Sequence, residues 1–180
     1  MPELLGIECG ATHTVALYEA GYKIERAEFG PANLRLLNDT QLNRHLRKIA
    51  QQFPRPDAVA IGMAGARTET DKKRLYRAST SFWPSSALHI THDLETAIAS
   101  DTSNNPIHRV LVLSGTGSCC YGQSPDGTKA KLGGWGHILG DKGSGYEIGL
   151  RALKACVFYL DRDGTWSSLG QRLLRRLQLN

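Results

Sequence analysis

Apolar residues along this chain recur in short runs separated by glycine, proline and asparagine, and their spacing switches between the two-residue period of strands and the wider period of helices. Residues 4–8 read as a short apolar strand, Gly10-Ala11-Thr12 as a tight turn, and residues 14–18 as a second strand. Gly21-Tyr22 turns the chain into a third strand at 24–29, so three antiparallel strands open the fold. Pro31-Ala32-Asn33 is a loop. Leu42, Leu46 and Ile49 share one face of a helix capped by Asp39 or Thr40 and running to about Gln52, where Phe53-Pro54-Arg55-Pro56 ends it. Ala58–Met63 is nearly all apolar, as buried parallel strands are. Residues 69–79 form a charged helix whose Asp71, Lys72, Lys73, Arg74 and Arg77 read as a solvated face, a basic ligand site being the alternative. Residues 88–91 make the next strand and deliver His92 and Asp93 at its carboxyl end, just before a helix at 94–100.

Residues 101–108, with Ser, Asn and Pro, read as a crossing between two lobes. Arg109–Ser114 is expected to be a buried strand, and Ser118–Gln123 follows at once as its hairpin partner. A helix from Ser144 to about Tyr159, a loop at 161–166 and a last helix with Leu169, Leu173, Leu174 and Leu177 on one side complete the pattern. Strand, glycine turn and strand occur in the same order at 4–18 and at 109–123, as if the opening were duplicated. The class is α/β, with domains at 1–104 and 105–180.

Composition narrows the function classes. At 180 residues and 41% hydrophobic content the chain can hold a core, and nothing suggests disorder. The net charge of +5 suits an anionic ligand. Its Lys and Arg are scattered, and aromatic residues make only 7%, so no nucleic-acid partner is expected. No apolar run approaches the ~20 residues of a membrane span, and MPELLGIECG is not signal-like, so no membrane is expected and the location is expected to be cytoplasmic. Cys9, Cys119, Cys120 and Cys156 have no C-x-x-C spacing and are expected to be reduced, buried fillers.

Glycine changes the picture most, because 11 of the 19 fall in residues 109–149. Ser114-Gly115-Thr116-Gly117-Ser118 is a turn whose amides and hydroxyls can surround an anion. Gly133-Gly134-Trp135-Gly136-His137 and Gly140-Asp141-Lys142-Gly143-Ser144-Gly145 form a shaped loop leading into a helix whose N-terminus offers a second place for an anion. Trp135 suits the core or a ligand platform. No G-x-x-x-x-G-K-[ST] or G-x-S-x-G occurs, which sets aside a Walker loop and a serine hydrolase.

SGTGS followed by GGWGHILGDKGSGYEIG closely resembles the N-acetylglucosamine kinases and the wider BadF/BadG/BcrA/BcrD-type ATPases of the actin-like sugar-kinase superfamily. The resemblance implies RNase H-like lobes, the first complete and the second apparently truncated, and ATP-dependent phosphorylation of an amino sugar such as N-acetylglucosamine. Asp93 would be the general base, although an Asp there equally suits a helix cap. Gly10, Thr12, Gly115, Thr116 and Gly117 would meet ATP phosphates, and Asn33, Gly65, Asp93, Ser118, Gly134 and Asp141 would line the sugar. Glu8 would hold Mg2+ through water. Cys9 and Ala11 replace two glycines usual in the first phosphate loop, and Lys142 replaces an acidic residue, its charge meeting phosphate or nothing. His137 receives no role. The rival readings are a family ATPase that activates a partner enzyme and a non-catalytic sugar-binding half-protein. The leucine stripe of the last helix is expected to be covered in a homo-oligomer or by a missing C-terminal half.

Overall fold

A computed structural model describes residues 1–101 and 107–179. The chain divides into two units, Met1–Asn105 and Pro106–Asn180. The boundary expected between 104 and 105, and most of the crossing at 101–108, lie outside the described residues.

The first unit follows the expected order: β1 (Glu3–Cys9), β2 (Thr14–Ala20), β3 (Lys23–Phe29), α1 (Asp39–Gln52), β4 (Ala58–Met63), α2 (Glu69–Thr80), β5 (Ala87–Thr91) and α3 (Asp93–Ala99). Its five-stranded sheet runs β3-β2-β1-β4-β5. The first three strands are antiparallel, and β4 is parallel to both β1 and β5. Alternation along each strand sends Leu5, Ile7, Cys9, Val59, Ile61 and Met63 to one face, where they join Leu42, Leu46 and Ile49 of α1 and Leu75 of α2 in one buried core. Each such side chain contributes about 1.5–3 kcal/mol on leaving water. Trp83 is buried with them and donates its indole N–H to Phe53 O at 2.9 Å.

The opposite face is covered only at one end. Gly62 of β4 points there, and a Cβ on it would lie 1.9 Å from Thr96 Oγ1, so α3 rests on that glycine. Farther back Ala60 is exposed, so β4 is not buried on both faces as its apolar run suggested.

Helix starts depart from expectation by a residue. Asn38, not Asp39 or Thr40, caps α1: its side chain accepts Gln41 N–H, and Gln41 reaches back to Asn38 N, both at 2.9 Å. The charged face of α2 is also more than a solvated surface. Asp71 completes a capping box with Thr68 and meets Arg35 at 3.1 Å, while Arg74 donates to Leu34 O, Leu37 O and Asp39.

The second unit contains β6 (Arg109–Ser114), β7 (Ser118–Gln123), β8 (Lys129–Gly133), α4 (Gly145–Asp163) and α5 (Ser168–Leu177). The sheet is β6-β7-β8, antiparallel throughout. β8 escaped the sequence reading. The turn before it, Ser124-Pro125-Asp126-Gly127-Thr128, carries a turn signature, and Thr128 N donates to Asp126 Oδ1 at 2.9 Å. β6 forms where expected but is not buried: Val110 is 71% and Val112 72% exposed, and Leu132, on the same face through β7, is 77% exposed. α4 runs one turn beyond Tyr159, through Asp161–Asp163 where a loop was expected, and ends on Gly164 in the left-handed region. On α5, Leu173 and Leu174 are half-buried while Leu169 and Leu177 stay exposed. All four cysteines are free; Cys9 and Cys156 are buried, whereas Cys119 and Cys120 are only half-buried.

Candidate functional site

Topology assembles the residues of the first unit. Because β1, β4 and β5 are parallel neighbours, their carboxyl ends lie side by side, where ligands gather on open α/β sheets. Glu8, Gly10 and Thr12 stand at the end of β1, Gly65 just past β4 and Asp93 just past β5. Asn33 joins them through a parallel bridge to Ala64, with Leu34 N donating to Ala64 O at 2.9 Å. Gly65 has φ +87°, and a Cβ there would sit 2.4 Å from Asn33 Oδ1, so only glycine lets the two segments close. Asn33 Oδ1 already accepts Arg35 N–H at 3.0 Å.

The first glycine turn is tied into the same cluster. Gly10 N donates to His13 O at 2.9 Å, Ala32 N to Gly10 O at 3.0 Å, and Ala64 N to Cys9 O at 2.9 Å. Ala11 and Thr12 remain exposed at its tip, with Thr12 Oγ1 3.1 Å from His13 Nδ1. Glu8 is exposed and forms no side-chain hydrogen bond or ion pair among the described residues. Its neighbour Cys9 faces the core, and burial pushes that thiol up to about 12, which keeps it unreactive.

His92, not Asp93, caps α3, its Nδ1 accepting Leu94 N–H at 3.2 Å. Asp93 is thereby released from the capping role that sequence left open to it. Its side chain is 21% exposed, yet Oδ1 is buried without a hydrogen-bond partner among the described residues and lies 2.7 Å from His92 Nδ1. The two atoms are close with no aligned hydrogen bond between them. Orphaned buried carboxylate oxygens are uncommon and mark a site for scrutiny.

In the second unit the two glycine-rich stretches close on each other. Ser114 Oγ donates to Gly143 O at 2.9 Å, Ser118 Oγ to Lys142 O at 2.7 Å, Gly145 N to Gly115 O at 2.8 Å and Gly134 N to Ser118 O at 3.0 Å. A Cβ on Gly117 would lie 2.8 Å from Asp141 Oδ2, so the bare hairpin tip admits that carboxylate. Asp141 has φ 56°, a left-handed conformation rare for a non-glycine and often kept at functional sites. Gly115, Thr116, Gly117, Ser118, Gly134 and Asp141 therefore belong to one laced loop, with the Ser118 hydroxyl proton already used within it.

Three residues differ from expectation. Lys142 is not without a partner: its Nζ pairs with Glu147 at 3.1 Å. Trp135 is 74% exposed, which removes the core reading. His137 has a ring partner in Tyr146, with centroids 4.7 Å apart. The α4 N-terminus is also filled from within, since Ser144 caps Glu147 N and the Glu147 carboxylate accepts Gly143 N–H. That bond, with Arg151 and Lys142 beside it, holds the Glu147 carboxyl down to about 2. Glu147 was missed in sequence, although an acidic residue three positions after a serine cap is a capping signal. Beside it lies a depression of about 510 Å³ lined by His137, Asp141, Lys142, Tyr146, Glu147 and Arg151 among others.

Among described residues no cluster of three metal-ligating side chains occurs. Nor is any helix among them long and apolar enough to cross a membrane.

The chain is 33% identical over 189 residues to an N-acetylmuramic acid/N-acetylglucosamine kinase of Clostridium acetobutylicum, covering 99% of this chain and 61% of that relative. It is 33% identical over 122 residues to an N-acetyl-D-glucosamine kinase of Dictyostelium discoideum, covering 68% of this chain and 38% of the other. The chain thus spans about three fifths or less of the length of these relatives. A solved structure of a proposed N-acetylglucosamine kinase from Porphyromonas gingivalis superposes with TM-score 0.77 at 20% identity, covering 98% of this chain and 62% of that one, and it shares the actin-like fold. The family model of the BadF/BadG/BcrA/BcrD ATPases matches residues 5–168, and the chain belongs to that family.

Proposed function

We propose that this chain carries the sugar-side and phosphate-side loops of an ATP-dependent kinase acting on an amino sugar, N-acetylglucosamine or a related N-acetylated hexosamine. The observation that carries the reading is Asp93, a carboxylate freed from capping at the carboxyl end of β5, with Asn33 and Gly65 built at the same end of the sheet. In this reading a sugar hydroxyl oxygen attacks the γ-phosphorus of ATP in line, the bond to the β,γ-bridging oxygen breaks, ADP leaves, and Asp93 accepts the hydroxyl proton. Thr12 in the first unit, and Thr116 and Gly117 in the second, offer hydroxyls and backbone to phosphate oxygens, while the N–H groups of Gly10 and Gly115, expected at the phosphates, are spent within their own turns on His13 O and Gly117 O. Asn33, Gly65, Ser118, Gly134 and Asp141 would line the sugar.

Glu8 suits a hydrated Mg2+, because its carboxylate is exposed and, among the described residues, is unpartnered and belongs to no cluster of ligands that would compete with a water shell. When bound, the ion supplies charge neutralisation at the phosphates. The domain reading stays with segments 1–104 and 105–180, each carrying one of the two glycine hairpins. ADP release measured with a panel of sugars tests the proposal: release dependent on an N-acetylated hexosamine supports it. Release independent of every sugar but dependent on a protein partner would replace it with an activator ATPase.

A further inference from the structure

His92 Nδ1 faces two partners that demand opposite protonation. Leu94 N–H, 3.2 Å away, needs a bare nitrogen as acceptor, and this bond caps α3. Asp93 Oδ1, 2.7 Å away and buried without a hydrogen-bond partner among the described residues, needs a donor. One nitrogen cannot serve both. A neutral ring with its proton on Nε2 satisfies Leu94 and leaves Oδ1 an orphan. A charged ring has a proton on Nδ1, and a modest ring rotation aims it at Oδ1 at the expense of Leu94.

We infer that His92 is a positioning residue for Asp93, closing the carboxylate into an ion pair through Oδ1 when the ring is charged and leaving it open to accept a proton when the ring is neutral. The inference rests on the reading of Asp93 as the base. The groups around the pair are few. α3 itself brings Glu95, which accepts from the Thr91 hydroxyl. Lys72 of α2 is shared between Glu69 at 3.4 Å and Glu95 at 3.9 Å. β4 carries no ionisable side chain. On the sheet face that α3 covers, β5 presents His89 and β1 presents Glu8. The ion-pair contact of His92 is with Asp93.

Nitrogen-15 NMR of the histidine rings, followed through an acid titration of the 180-residue chain, tests this directly. At neutral pH Nδ1 of His92 should be unprotonated. Once the ring is charged, its Nδ1–H should exchange with water about tenfold more slowly in the wild type than in Asp93→Ala, which removes the acceptor, and Leu94 N–H should lose protection over the same range. Equal exchange in both proteins, or a proton on Nδ1 at neutral pH, overturns the inference whether or not the chain turns over. In the enzyme assay His92→Asn keeps a capping oxygen but cannot charge. The part of the acid fall in turnover that follows the His92 ring signals should be absent from His92→Asn, and a profile unchanged from wild type counts against a positioning role. Full turnover in Asp93→Asn would instead remove the base assignment, leaving the exchange result to judge the pairing.

Discussion

The two units open with the same local device, a strand, a glycine turn and an antiparallel partner, yet they treat their apolar residues differently. In β1 the alternate residues Leu5, Ile7 and Cys9 are at most 2% exposed, while in β6 Val110 and Val112 are each more than 70% exposed. The hairpins themselves are equally regular, pairing residue by residue along their full lengths. What differs is the company. β1 has β4 as a parallel neighbour on its other edge and α1 packed on its face, whereas β6 is an edge strand of a three-stranded sheet. A hairpin is a local outcome of turn and pattern, but burial is conferred by elements distant in sequence.

The proposed proton transfer belongs to the first unit, and Asp93→Asn is the sharpest way to test it. Sugar-dependent ADP release should fall about 10²–10⁴-fold, the usual worth of a general base, with the denaturant midpoint nearly unchanged. Next in size is the contrast in packing. Leu46→Ala, in the closed core, should cost about 2–5 kcal/mol in urea unfolding, whereas Val112→Ala, on the exposed face, should stay within about 0.5 kcal/mol. Equal losses at both positions would mean that the face of β6 is covered in solution.

Gly65→Ala should come third, costing about 1–3 kcal/mol through its positive φ and its collision with Asn33, and it should weaken sugar binding more than Ala substitution at the open Gly136. The smallest expected effect concerns Glu147. Its carboxyl is lowered from 4.5 to about 2, so the bonds to Gly143, Lys142 and Arg151 stabilise the loop above pH about 4.5 and are lost as pH falls towards about 2. Amide exchange at Gly143 should accelerate over that window in the wild type. In Glu147→Gln it should already be fast at neutral pH; a slow Gly143 amide there would assign the lacing to the serines alone.

Part of the candidate site was legible, its loops through their glycines and its expected residue roles through the family resemblance. Gly65 and Asn33, 32 positions apart, were both expected at the sugar, and the structure sets the glycine against the Asn33 side chain. The pairing of Lys142 with Glu147 was not legible, since a lysine in a loop can turn to solvent, to phosphate or to a carboxylate, and only the helix register chose the last. Nor was the helix cap. His92 and Asp93 are adjacent and both can cap; the direction in which α3 leaves β5 gave the bond to His92 and left Asp93 Oδ1 alone. β8 was missed because Lys129 and Lys131 dilute its apolar signal, although the turn before it was readable.

By itself the sequence determined the order of strands and helices apart from β8, the family signature and the candidate acidic base, because these depend on period and residue type within a few positions of each other. Only the tertiary structure decided which apolar runs are buried, which side chain caps α3, that Asp141 sits over Gly117, and that the hydroxyls of Ser114 and Ser118 are spent on the loop beside them. Burial and hydrogen-bond partners are properties of pairs of segments brought together from far apart in the chain. The free energy that selects among competing partners comes from desolvation at that meeting, which no local stretch of residues carries.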